Sequence, residues 1–254
     1  MPLGKYEELL FMKKILCMLL AVCMLCCFAG CGDDNTLTMG TNAAFPPYEF
    51  VDDNGDFAGI DVEIAKAIAD KLGMELEIKD MAFESLIPAV QNDSVDLVLA
   101  GMTVTDERKE AVNFSNTYAT GVQVIIVKEG SAIASADDLE GKKIGVQTGT
   151  TGDAYCTDDY GQENVKQFDN GALAIAALVN DQVDCVIIDN EPAKSYVKAN
   201  TGLKILETEY VVEDYAIAIS KDNDELLKKV NDALKELKED GTIDKIIKKY
   251  IPAE

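Results

Sequence analysis

Arg108 stands where a helix ordinarily avoids a cation. Leu97–Ala100 is an apolar run that reads as a buried strand, Gly101 ends it, and Thr105-Asp106-Glu107 reads as a helix start with Thr105 as N-cap. An arginine about three residues inside that helix opposes the macrodipole by about 0.3–1 kcal/mol. Two readings fit. Asp106, Glu107 and Glu110 can cancel the penalty. Alternatively, the guanidinium fork and the free amides of the helix start form one receptor for a carboxylate. A second charge stands out at Asp189, which ends the apolar run Cys185–Ile188. It can cap the helix that starts near Glu191-Pro192, or it can hold an ammonium group. A carboxylate receptor and an ammonium receptor together describe an α-amino acid. Phe45 lies in Ala44-Phe45-Pro46-Pro47-Tyr48, a loop with no apolar periodicity, and with Phe83 it can sandwich a ligand's side chain; either ring can equally be core. Thr150-Thr151-Gly152 offers hydroxyls and amides at another helix start, for an anion or for plain capping.

Composition closes several classes. The 254 residues carry a formal net charge of −23, which argues against nucleic acid, whose phosphates need cations. There is no histidine, so Ser-His-Asp and Cys-His catalysis and the commonest metal ligand are absent. No P-loop occurs, and neither a cofactor nor a metal is expected. Asp52-Asp53-Asn54-Gly55-Asp56 has its glycine too early for an EF-hand, and Asn54-Gly55 reads as a hairpin turn. The N-terminus reads as a targeting segment: Met12-Lys13-Lys14, an apolar run from Ile15 to Phe28, then Ala29-Gly30-Cys31. The run is short for a membrane span. Phe28-Ala29-Gly30-Cys31 resembles a bacterial lipobox, with Phe28 where leucine is usual. That implies a signal peptide over 1–30 with a natural start at Met12, a lipid on Cys31 and a linker over 31–35. The CxxC spacing of Cys23 and Cys26 then falls inside the signal sequence, and Cys156 and Cys185 are read as two buried free thiols.

From Leu37 onward strands and helices alternate, which predicts an α/β protein with parallel sheets covered by helices. Strands are predicted over 37–40, 76–79, 95–100, 143–147, 165–168 and 184–188. Helices are predicted over Asp61–Leu72 with Asp61 as N-cap, and over 85–92, 151–160, 172–180, 224–240 and 242–250. Asn92-Asp93-Ser94-Val95-Asp96-Leu97-Val98-Leu99 has a counterpart in Asn180-Asp181-Gln182-Val183-Asp184-Cys185-Val186-Ile187, a duplicated lobe rather than a solenoid. Lobe 1 is assigned to 36–120 and 215–254, and lobe 2 to 121–214. Extended segments at 119–127 and 214–220 cross between them as a two-strand hinge. Ligands of such sheets sit beyond the carboxyl ends of the strands, which selects Asn42 to Tyr48, Phe83, Gly101, Thr103, Arg108, Gln147 to Gly152 and Asp189 to Glu191.

The stretches GTNAAFPPYEF, FAGIDVEIAKAIADKLG, FESLIPAVQNDSVDLVLAGMTVTDERKEAVNFSNTY, LEGKKIGVQTGTTG and LKELKEDGTIDKIIKKY resemble the family 3 solute-binding proteins, the polar amino acid receptors of ABC importers. The resemblance spans nearly all of residues 36–250. It implies a two-lobed type II periplasmic-binding-protein-like fold and an extracytoplasmic, lipid-anchored monomer on the outer face of the cytoplasmic membrane. Its partners would be an amino acid and importer membrane subunits. It assigns the α-carboxylate to Arg108, helped by Thr103 and the amides of Thr103 and Thr151. The α-ammonium goes to Asp189 and the Gly101 carbonyl, and the side-chain clamp to Phe45 and Phe83. Asn42 stands where the glutamine and basic-residue receptors place aspartate, and Gln147 where some relatives have lysine. Both are neutral, so an uncharged polar side chain such as glutamine is expected. Glu49 and Glu191 would restore a basic ligand or cystine if they face the cleft. A cyclohexadienyl-dehydratase-like enzyme on the same fold is the rival reading, and a sensor's ligand domain, with a membrane span and signalling module after Tyr250, is a third.

Overall fold

The computed structural model describes residues 35–206 and 211–252. The signal-peptide and Cys31 expectations lie outside them. Strands run β1 Thr36–Thr41, β2 Ala44–Phe45, β3 Glu49–Val51, β4 Phe57–Ala58, β5 Glu75–Asp80, β6 Leu97–Val98 and β7 Asn113–Phe114. They continue as β8 Ala119–Lys128, β9 Ile144–Gln147, β10 Val165–Phe168, β11 Cys185–Asp189, β12 Leu203–Ile205, β13 Val211–Tyr215 and β14 Ala218–Ile219. Two larger sheets result. The first has the order β5-β1-β6-β14-β7, with β1 parallel to β5 and β6 and with β14 antiparallel. The second has the order β10-β9-β11-β8-β12, with β9 parallel to β10 and β11, while β13 adds antiparallel to β8. The expected hairpin at Asn54-Gly55 joins β3 to β4, with Gly55 at φ 89°.

The helices are α1 Ile60–Leu72, α2 Leu86–Gln91, α3 Asp106–Ala111, α4 Thr151–Tyr160, α5 Gly171–Val179, α6 Asn190–Ala199, α7 Asp224–Glu239 and α8 Thr242–Tyr250. α7 and α8 pack on α1, so the chain's last helices return to the first sheet's side. Thr105 caps α3 by accepting from the Arg108 amide at 3.1 Å. Three expectations shift. Asp61 is not an N-cap: α1 starts at Ile60 behind Gly59, where a Cβ would come within 2.2 Å of the Tyr48 carbonyl, and Asp61 is fully buried inside the first turn. The strand expected over 95–100 is regular only at Leu97–Val98, although the Asp96 and Leu99 amides still donate to the Thr38 and Gly40 carbonyls of β1. The helix expected from Ser85 begins as a 3-10 turn at Phe83.

The duplication holds at residue level. Asp93 and Asp181 both take positive φ, 54° and 58°. Asp96 and Asp184 each close a ring with the neighbouring strand, the carboxylates accepting from the Thr38 and Lys143 amides at 2.7 and 2.8 Å. The same turn and the same aspartate pin a parallel strand in each sheet. The chain passes between the sheets twice, from β7 to β8 and from β13 to β14. The two passages are stitched together: the Ser115 amide donates to the Ile217 carbonyl, and the Tyr118 amide to the Tyr215 carbonyl, each at 2.9 Å. Cys156 and Cys185 are buried free thiols, and burial pushes Cys185 up to about 12.

Candidate functional site

A narrow cleft is lined from the first sheet's side by Asn42, Phe45, Glu49, Phe83 and Ala100. From the second sheet's side come Gln123, Gln147, Thr150, Ile187, Ile188 and Asp189. Six expected residues therefore meet: Asn42, Phe45, Phe83, Gln147, Thr150 and Asp189. Gly101, Thr103, Arg108 and Thr151 do not line this cleft. Arg108, Thr150 and Thr151 line an adjoining groove of about 440 Å³ between α3 and α4. Gly101 sits behind Phe45 at φ 52°, where a Cβ would come within 2.9 Å of the Phe45 ring, and Thr103 is buried under Arg108.

Arg108 is anchored on several sides. Its Nη1 donates to the Thr103 carbonyl at 2.8 Å, its Nη2 to the Gly149 carbonyl at 3.0 Å, and its Cζ lies 5.4 Å from the centre of the Phe83 ring. Burial pulls its pKa down, opposed by the negative charges of Glu213 and Glu107. Arg108 thus reaches from one lobe to the other, and its remaining N–H donors stay available to a carboxylate.

Asp189 occupies the N-cap position of α6 yet makes no capping bond. It is 7% exposed; its Oδ2 accepts from Gln123 Nε2 at 3.0 Å, and the Tyr215 hydroxyl donates to the same carboxylate. Burial pushes its carboxyl up to about 7. The capping alternative is therefore not what holds this side chain. A buried carboxylate held by neutral donors at a cleft is the arrangement an incoming cation completes.

At the other end, Gln147 Nε2 donates to Asn42 Oδ1 at 3.0 Å, and Asn42 Nδ2 donates to the Met81 carbonyl at 2.8 Å. These two neutral side chains satisfy one another across the cleft. Glu49, 1% exposed, lines the same space, and burial followed by the charge of Asp61 and a hydrogen bond with it holds its carboxyl well above the usual range. Asp61, pushed by burial to about 6, accepts from the Gly101 amide and the Tyr118 hydroxyl, both at 2.8 Å. Glu191 is outside the lining and is held by Lys194 at 2.9 Å. Sequence reasoning passed over Gln123 and Glu213. The available signal was a lone polar residue inside an apolar run, Val122-Gln123-Val124-Ile125 and Val211-Val212-Glu213.

The pattern of the bacterial extracellular solute-binding proteins, family 3, matches residues 37–253. The chain belongs to that family. It is 38% identical over 256 residues to the arginine-binding extracellular protein ArtP of Bacillus subtilis strain 168, covering 96% of this chain and all of that one. An ancestral arginine-binding protein bound to glutamine superposes with a TM-score of 0.82 at 47% identity, covering 86% of this chain and 99% of that one. The same kind of ancestral protein bound to arginine gives 0.81 at 47%, covering 85% and 98%. The matched family is one of solute-binding proteins, and these relatives are amino acid-binding proteins with the two-lobed fold. No helix among the described residues is long and apolar enough to cross a membrane. Among them no cluster of acidic or thiol side chains is arranged to hold a metal.

Proposed function

We propose that this family 3 protein is an extracytoplasmic receptor that closes over one free α-amino acid and delivers it to an ABC importer, and that arginine is its ligand. Asp189 carries the reading: a buried carboxylate at a cleft, held by the neutral donors Gln123 and Tyr215, with an arginine already fixed by two carbonyls nearby. Arg108 takes the α-carboxylate, Asp189 the α-ammonium, and Phe45 and Phe83 flank the side chain. Glu49 supports a cationic side chain, because its carboxyl belongs to the lining and an incoming cation would favour its ionised form. The arginine-binding relative in Bacillus subtilis agrees. Glutamine is the second reading. Asn42 and Gln147 can pair a neutral amide, and the ancestral arginine-binding protein is known in a glutamine-bound form.

A thermal-shift and calorimetric series over arginine, lysine, histidine, glutamine and cystine tests this, since ligand excess raises apparent stability as RT ln(1 + [L]/Kd). Arginine is expected to bind at least about tenfold tighter than glutamine, a difference of about 1.4 kcal/mol. Glu49→Gln is expected to erase that preference while leaving glutamine affinity within about threefold. Tighter glutamine binding in the wild type replaces arginine with the second reading, and no binding by any of the five refutes the receptor. Lipid attachment at Cys31 belongs to the same proposal: labelled palmitate is expected to enter the wild type and not Cys31→Ser, and two acyl chains suffice for stable anchoring.

A further inference from the structure

Gln123 joins two buried carboxylates. Its Nε2 donates to Asp189 Oδ2 at 3.0 Å and to Glu213 Oε2 at 2.9 Å. Both N–H bonds of the amide are thereby committed to anions. Glu213 is 5% exposed and its other oxygen accepts from the Tyr155 hydroxyl at 3.1 Å. The arrangement follows from register. Asp189 lies directly opposite Gln123 in the β11–β8 pair, and Glu213 lies opposite Gly121 in the β8–β13 pair. Gly121 and Gln123 are two residues apart on one strand, so all these side chains stand on one face. Tyr215, opposite Ala119, completes the row. At Gly121 a Cβ would come within 2.2 Å of the Tyr215 hydroxyl oxygen and 2.4 Å of Asp189 Oδ1, so glycine there makes room for both groups.

We propose that Gln123 and Glu213 are positioning residues that set the pH range over which Asp189 holds the ligand's ammonium group. The proposal rests on the receptor reading. The amide holds Oδ2 of Asp189, and the Tyr215 hydroxyl donates to the same carboxylate, so two neutral donors orient it towards the ligand. Burial opposes ionisation of Asp189 most and the Tyr215 hydroxyl favours it; on that background the charge of Glu213, a short step further along the same row, opposes ionisation, while the Gln123 donor favours it. Arg108, Tyr48, Glu49, Tyr155 and Tyr215 also face this group, from the first lobe, α4 and β13. The cation of Arg108 favours the ionised form; the carboxyl of Glu49 opposes it. Protons and the ligand's ammonium compete for one carboxylate, so affinity falls towards acid through the range in which free Asp189 titrates. Removing the Glu213 charge moves that fall to lower pH. Removing the Gln123 donor moves it to higher pH.

Calorimetry with L-arginine between pH 5 and pH 9 on the intact protein reads both effects. Glu213→Gln is expected to shift the acid limb down by about half a pH unit or more, and Gln123→Met up by a similar amount. Glu213→Asp keeps the charge and is expected to keep the wild-type limb, which also serves if Glu213→Gln does not fold. 5-Guanidinovalerate, which lacks the α-amino group, is expected to show no limb of this origin. A uniform loss at every pH, or two shifts of the same sign, would overturn the relay and leave a structural role. Wild-type protein that binds no amino acid at any pH would instead overturn the receptor reading beneath it.

Discussion

Arg108 resolves its own paradox through its contacts. The charge that opposes the α3 macrodipole is tied down by the Thr103 carbonyl in its own lobe and the Gly149 carbonyl in the other. A guanidinium can serve two carbonyls and still present donors to a carboxylate, whereas an ammonium is a single point with three donors and no fork. Arg108→Ala is expected to cost about 2–5 kcal/mol of binding, roughly 30- to 4,000-fold in Kd, because it leaves the ligand's carboxylate desolvated and unpaired. Arg108→Lys is expected to fail nearly as badly. Calorimetry decides: an alanine variant within threefold of wild type would mean that the acidic neighbours alone explain this residue. Asp189→Ala belongs beside it, and its loss is expected to be smaller for an analogue without the α-amino group.

At the scale of elements, strand β8 organises the chemistry. It leaves the first sheet's side, pairs with β11, β12 and β13, and carries Gly121 and Gln123 at adjoining same-face positions. Gly121 has no positive φ; it is glycine because of what stands above it. Gly121→Ala would drive a methyl into the Tyr215 hydroxyl and the Asp189 carboxylate, and neither can swing away, since both are buried among packed strands. The expected outcome is a loss of about 1–3 kcal/mol in stability and at least about tenfold weaker amino acid binding, read by denaturant unfolding and calorimetry. An alanine variant that unfolds at the wild-type midpoint and binds normally would show that the strands give way freely.

On the scale of the whole molecule, hydrogen bonds cross the cleft at three places. Arg108 reaches Gly149, Gln147 reaches Asn42, and the Tyr196 hydroxyl donates to the Ala44 carbonyl at 2.6 Å. These describe a closed form. The two passages between the sheets are hydrogen-bonded to each other and make a two-strand hinge. On the proposed receptor reading, a ligand that bridges Arg108 and Asp189 would favour the closed form over an open one, and could shift the equilibrium only by its differential affinity for the two. Small-angle scattering is expected to give a smaller radius of gyration with saturating arginine than without. Tyr196→Phe removes one cross-cleft bond that touches no ligand, and is expected to weaken affinity by about 0.5–1.5 kcal/mol, roughly two- to twelvefold. An unchanged radius with binding confirmed would speak against a closing hinge.

The sequence by itself determined the elements and the sheets. Alternating apolar runs and capped helices place α4, β10 and α8 at their observed bounds, and the repeated Asn-Asp-x-x-Val-Asp stretch foretells two lobes built alike, down to the left-handed aspartates 93 and 181. These are local signals, carried by periodicity and capping within a few residues. Residue type and strand-end position also brought Arg108, Asp189, Phe45 and Phe83 into view. The tertiary structure decided what depends on distant neighbours. Asp61 reads as an N-cap, yet burial against Gly101 and Tyr118 turns it into a support for the cleft. Asn42 and Gln147 read as a neutral ligand subsite, yet they bind each other and leave Glu49 as the acid facing the cleft. Gln123 and Glu213 lie 90 residues apart, and no local pattern joins them. Only strand register sets an amide between two carboxylates, because hydrogen bonds and charge coupling depend on separation in space rather than along the chain.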